Sequence, residues 1–264
     1  MPNEGLMEGK VAVVTGGGRG IGRAIALNFS AAGASVVVAA RTVSQIEGVA
    51  REIRDAGRQA SAVPTDVADE HQCEHLVRTA RARYGSIDVL VNNAGDYGPV
   101  KPVEEIAPVE WDRVMAVHLR GAFLLTRMVL PEMYARGSGA ILNISSLAAK
   151  AAFPWGSPYA TAKAGLLALT RVTAAEAARK GVRVNAICPG PVTETEMSKE
   201  LVEALARRLG VSAEQERALF LNGVLQGRAQ SADEIAAAAL FLCSEQASAI
   251  TGQALNVDGG AAFY

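Results

Sequence analysis

The chain has 264 residues, half of them apolar and 20% charged, with a formal net charge of −1. That length suits one large domain or two small ones, and that composition supports a sizeable core and excludes global disorder. A charge this close to neutral removes any electrostatic case for nucleic acid or an anionic membrane as partner.

Three cysteines, Cys73, Cys188 and Cys243, stand far apart and form no CxxC or Cys/His spacing. A reduced compartment and no structural metal are expected. Residues 1–10 carry Glu4 and Glu8 and no apolar run, unlike a secretory signal. No unbroken apolar stretch of about 18 residues suggests a membrane span. The expectation is a soluble, cytoplasmic protein.

In chain order, strand and helix alternate. Val11–Thr15 is a β-branched run ending at a glycine cluster, and residues 20–32 then have helical spacing up to Gly33. Ser35–Ala40 is the next apolar run, followed by a polar helix-like segment to Gly57. Residues 59–63 predict a third strand, 69–84 a helix and 87–91 a fourth strand. A long helix is predicted over Pro108–Arg136. Residues 140–144, 182–187 and 254–257 are further strands, with helices at 157–180 and 233–244 between them. Strands that are continuously apolar are covered on both faces, as in a parallel sheet. The pattern predicts a single α/β domain of three layers, a doubly wound parallel sheet of Rossmann type. Residues 193–228 break the rhythm with extra charged, helical sequence, expected to be a mobile insertion over the substrate.

Thr15-Gly16-Gly17-Gly18-Arg19-Gly20-Ile21-Gly22 follows the first strand and opens the first helix. The spacing is T-G-x-x-x-G-x-G, not G-x-G-x-x-G. Backbone N–H groups at a helix N-terminus, with no Cβ in the way, suit a pyrophosphate held by Gly16, Gly18, Arg19, Gly20, Ile21 and Gly22. The bland alternative is a tight turn without a ligand. An acid at the end of the second strand would accept the ribose 2′-hydroxyl of NAD, but Val36 to Ala40 offer none and Arg41 follows. Arg19 and Arg41 would pair with a 2′-phosphate, which points to NADP(H). Read without a ligand, both arginines are solvated surface charges.

Tyr159 and Lys163 are four residues apart in a predicted helix and share a face. A phenol with a pKa of about 10 exchanges protons poorly at neutral pH, and a neighbouring ammonium would lower that pKa. Ser146, just past the 140–144 strand, is placed to donate to a substrate oxygen.

With these motifs the chain resembles the short-chain dehydrogenase/reductase family over nearly its whole length. The resemblance rests on Thr15 to Gly22, Asp66-Val67, Asn92-Asn93-Ala94-Gly95, and Ser146 thirteen residues before Tyr159. Asn185, Pro189-Gly190, Thr251-Gly252 and Asp258-Gly259-Gly260 complete it. It implies that Asp66 and Val67 contact adenine and that Asn93, Ala94 and Gly95 line the cofactor cleft near the ribose. It implies that Ser146 orients the substrate carbonyl, Tyr159 protonates it, and Lys163 binds the nicotinamide ribose. Pro189, Gly190 and Val192 would lie along the nicotinamide, with Thr193 or Thr195 at the carboxamide. One departure is His118, which stands where the family carries a catalytic asparagine that holds a water in the proton relay. The histidine either positions such a water, adding its own pH dependence, or fills a bend in the helix.

Within that family the likeness is to reductases of 3-oxoacyl thioesters and related ketoreductases. It implies reduction of a ketone to a secondary alcohol, or the reverse. A catalytically weak dinucleotide sensor and an NAD-dependent alcohol dehydrogenase are the alternatives, and a nucleotide-sugar epimerase fits the C-terminal length poorly. Ala148, Ala149, Phe153, Trp155, Leu201 and Leu221 predict an apolar substrate wall, with residues 96–100 at its edge. Arg136, Arg179 and Lys180 fall where carrier-dependent reductases meet an acyl-carrier protein. Helices 108–136 and 157–180 are rich in small residues that permit close packing, and the resemblance implies that they pair across subunits, in a homotetramer or else a dimer.

Overall fold

A computed structural model describes residues 5–263; residues 1–4 of the N-terminal segment discussed above lie outside it. Seven strands form one parallel sheet: β1 (Val11–Thr15), β2 (Ser35–Ala40), β3 (Ala60–Pro64), β4 (Val89–Asn92), β5 (Gly139–Ile144), β6 (Val182–Pro189) and β7 (Ala254–Val257). Their order across the sheet is β3-β2-β1-β4-β5-β6-β7. The chain turns from one half of the sheet to the other beside β1, and ligands bind outside the carboxyl ends of the strands at such a switch.

The helices are α1 (Gly20–Ala31), α2 (Val43–Asp55), α3 (Glu70–Tyr84), α4 (Pro108–Met115), α5 (Gly121–Arg136), α6 (Ser157–Ala177), α7 (Glu196–Leu209), α8 (Ala213–Leu221) and α9 (Ala232–Cys243). Successive strand residues point to opposite faces. Val14, Val36 and Val38 therefore pack with Ile25 and Phe29 of α1, Ile46 of α2 and Leu240 of α9. Val13 and Val37 pack on the other side with Leu76 of α3 and Leu125 and Met133 of α5. This makes three layers in a single domain. Phe29 is wholly buried, and trimming such a ring to alanine costs about 3–5 kcal/mol.

Two predicted helices differ in detail. The Pro108–Arg136 stretch is continuous but widens into a π-helical turn at Ala116–Arg120, which carries His118. By length and composition this stretch is apolar enough to cross a membrane, although charged residues such as Arg120 and Arg127 interrupt its apolar run. Its apolar face belongs instead to the core through Val114, Leu124, Leu125, Val129 and Met133. The 193–228 insertion contains two helices, capped by the Thr195 and Ser212 side chains.

Candidate active site

Two adjoining cavities open at the carboxyl end of the sheet. The first is a groove over the β1–α1 turn, lined by Gly16, Gly18, Arg19, Gly20, Ile21, Gly22, Arg41, Asp66, Val67, Asn93, Ala94 and Gly95. Gly16 and Gly20 have φ of +63° and +53°, which glycine adopts without strain. A Cβ on Gly22 would fall 2.3 Å from the Gly16 carbonyl oxygen, so the turn closes only with glycine there. No side chain caps α1 and no acid lies in its first turn. Its leading N–H groups are therefore free for an anionic ligand. Neither the Arg19 nor the Arg41 guanidinium is engaged in an ion pair with the described carboxylates.

Asn93 has a second task. Its Nδ2 donates to the carbonyl oxygens of Thr15 and Gly16, at 2.9 and 3.2 Å. The Thr15 hydroxyl accepts from the amides of Asn93 and Ala94 at 3.0 and 3.1 Å. The loop after β4 is thus bonded to the glycine turn.

The second cavity, about 320 Å³, holds Ser146, Tyr159, Lys163 and His118 together with Pro189, Gly190 and Val192. Ser146 sits at the end of β5 and its Oγ accepts from the Ala148 amide at 3.1 Å. That bond leaves the hydroxyl proton free to donate. Tyr159 and Lys163 project from α6, both buried. Lys163 Nζ donates to the Ile144 carbonyl at 2.7 Å and lies 5.6 Å from the Tyr159 ring centre. Burial pushes the Lys163 ammonium down to about 8. Burial raises the Tyr159 phenol above its ordinary value, opposed by a hydrogen bond from Ser146. The expected lowering by Lys163 is not what the site shows, because desolvation of the phenol is the dominant influence.

His118 is buried, and its Nε2 lies 2.6 Å from the Asp96 carbonyl oxygen and 3.2 Å from the Asp96 amide nitrogen. Its Nδ1 has no partner among the described residues. Burial and the Lys163 charge push its pKa down to about 3, so the ring is neutral near pH 7 and adds no titration there. It sits in the π-helical turn at Ala116–Arg120. The ring meets Tyr159 edge-on, with centroids 5.3 Å apart. Gly95 makes room for it: a Cβ there would fall 2.2 Å from His118 Cε1.

Tyr97 lies in the 96–100 segment expected at the edge of the substrate wall, and the structure brings it to the centre of the site. Its ring lies against that of Tyr159 at 4.8 Å between centroids, and Phe153 and Phe220 continue the aromatic row toward α8. Of the predicted wall, Ala148, Phe153 and Leu201 line the cavity while Ala149, Trp155 and Leu221 do not. Trp155 has φ +64° and lies instead beneath the Arg208 guanidinium at 5.3 Å. Phe220, one residue before Leu221, occupies the wall. Thr195 lines both cavities and Thr193 neither. Of the basic positions, Arg136 is spent within the fold, donating to the Ile87 carbonyl at 2.7 Å and pairing with Glu132. Lys180 rests 4.0 Å over the Tyr134 ring. Among the described residues no cluster of His, Cys, Asp or Glu is placed to hold a metal ion.

A family profile described as short chain dehydrogenase matches residues 10–206. The chain is 37% identical to D-beta-hydroxybutyrate dehydrogenase of Cupriavidus necator, over 97% of this chain and 98% of that one. It is 35% identical to a 3-oxoacyl-acyl-carrier-protein reductase of Thermotoga maritima, over 96% and 98%. A crystal structure of a variant actinorhodin polyketide ketoreductase with NADPH superposes with a TM-score of 0.92 at 37% identity, covering 97% of this chain and 98% of that one.

Proposed function

The chain belongs to the short chain dehydrogenase family, and from that premise we propose that it is an NADP(H)-dependent oxidoreductase that interconverts a ketone and a secondary alcohol. The observation that carries this reading is the shared cavity of Ser146, Tyr159 and Lys163 directly beside a glycine-built groove bearing Arg19 and Arg41. The groove fits a dinucleotide phosphate: glycine backbone lies where a Cβ would collide, and the uncapped N-terminus of α1 faces it. Gly16, Gly18, Gly20, Ile21 and Gly22 would hold the pyrophosphate, Arg19 and Arg41 the 2′-phosphate, and Asp66 and Val67 the adenine. Pro189, Gly190, Val192 and Thr195 would flank the nicotinamide. When bound, the cofactor supplies or takes a hydride at the substrate carbon.

The chain's own residues manage the oxygen. The Ser146 hydroxyl donates to the substrate carbonyl and fixes its direction. The buried Tyr159 phenol, kept protonated by its surroundings, delivers its proton to the developing alkoxide. Lys163 stands behind Tyr159 to balance the phenolate left by that transfer, and its remaining N–H donors are available to ribose hydroxyls. The Thr195-capped helix α7 and α8 act as a mobile cover over the cleft.

A 3-oxoacyl thioester, free or on an acyl-carrier protein, falls within this reading through the similarity to the Thermotoga maritima reductase. The engagement of Arg136 within the fold weakens the case for an acidic carrier. We place the enzyme in the cytoplasm as a homotetramer, with the exposed Phe123 of α5 and Val172 of α6 at its contacts. The test follows NADPH absorbance across a panel of 3-oxoacyl thioesters, quinones, cyclic ketones and sugars. No oxidation with any carbonyl, and no reverse reaction with alcohols, would overturn the reading.

A further inference from the structure

We infer, on the basis of the reductase reading above, that the cleft selects uncharged carbonyl substrates and rejects those carrying a carboxylate. No arginine, aspartate or glutamate is among its lining residues, and Lys163 is the sole cation. That ammonium already donates to the Ile144 carbonyl and lies behind Tyr159. The wall where the rest of a substrate must lie is built from Ala148, Phe153, Val192, Leu201, Phe220 and Val224.

Two cations near the cleft are engaged elsewhere. Lys150 donates to the Ala254 carbonyl and the Asn256 side chain, at 3.0 and 2.7 Å. Arg208 of α7 lies over the outer Trp155 ring. A negative charge stands near the wall: Asp258 accepts from the amides of Gly260 and Ala262, at 3.0 and 2.9 Å, on either side of the lining residue Ala261. A substrate carboxylate there would meet no free cation, only neutral donors such as the Tyr97 hydroxyl, which has no partner among the described residues, and neutral donors repay little of the cost of desolvating a charge. The arginines suited to anions stand in the neighbouring groove instead. The inference separates this chain from the hydroxybutyrate dehydrogenase it resembles, whose named substrate bears a carboxylate.

The test compares 3-oxo acids with their methyl esters, acetoacetate with methyl acetoacetate first, under saturating NADPH with the full-length enzyme. The ester is expected to exceed the acid about 100-fold in kcat/KM. A preference under about tenfold overturns the inference while leaving the reductase reading standing, because NADPH is still consumed. Failure of both compounds and of every uncharged ketone brings down the reductase reading and the inference together. The variant Leu201→Arg, which places a guanidinium in the wall, is expected to narrow the ester-to-acid ratio about tenfold. An unchanged ratio in that folded variant overturns the electrostatic explanation.

Discussion

Nε2 of His118 lies 2.6 Å from the carbonyl oxygen of Asp96 and 3.2 Å from the amide nitrogen of the same residue, tying the middle of the long Pro108–Arg136 helix to the loop after β4. The same residue's carboxylate pairs with Arg113 at 2.6 Å. The next residue, Tyr97, lies against Tyr159. His118 thus acts on Tyr159 from two directions, by its own ring edge and through the loop that carries Tyr97. With a pKa near 3 its ring is neutral near pH 7.

That depressed pKa gives a pH prediction for stability. A histidine of ordinary pKa 6.5 takes up a proton in the unfolded chain below that pH, while folded His118 resists until about 3. Between those values the unfolded state binds more protons, so stability falls as pH falls, by up to about 1.4 kcal/mol per unit from this group. His118→Asn removes the contribution. Melting temperature against pH from 7 to 4.5 should fall more steeply for wild type than for the variant, and equal slopes would contradict the assignment.

Tyr159→Phe removes the only acidic proton of the phenol and leaves the packing with Tyr97 intact. Turnover should drop by at least about 1,000-fold, toward the upper range of general acid–base contributions. NADPH affinity should change less than about twofold, since the ring does not form the phosphate groove. Rapid kinetics and fluorescence titration separate the two quantities.

Arg41→Ala should weaken NADPH binding about tenfold and leave NADH binding nearly unchanged, since a guanidinium at the groove surface gains from a phosphate dianion and little from a hydroxyl. Equal or tighter wild-type binding of NADH would remove the basis for the NADP(H) assignment.

Gly95→Ala tests the fit around His118. The new methyl would stand 2.2 Å from Cε1 of the ring, and relief of such overpacking costs about 1–3 kcal/mol. Combining it with His118→Ala should recover stability beyond the sum of the two single effects, because the variants share one contact. Additive denaturation energies would show that the collision is absorbed elsewhere.

The alternating pattern of short apolar runs and helical segments determined the parallel, doubly wound sheet. Burial on both faces forces continuous Val, Ile and Leu at strand spacing, and that constraint is written locally. The glycine turn and the Ser146, Tyr159 and Lys163 set were legible for the same reason: backbone close approach demands glycine, and a four-residue separation on a helix fixes a shared face. Tertiary structure alone decided the rest. Thr195 faces both cavities and Thr193 does not because the α7 cap sets the turn. Tyr97 joined the site through the Asp96 carbonyl's bond to a residue 22 positions away. The pKa of His118 and the lack of a cation for a substrate carboxylate depend on which groups the fold desolvates and where Lys150 and Arg208 point. Desolvation and charge pairing are sums over neighbours distant in sequence, so no local pattern encodes them.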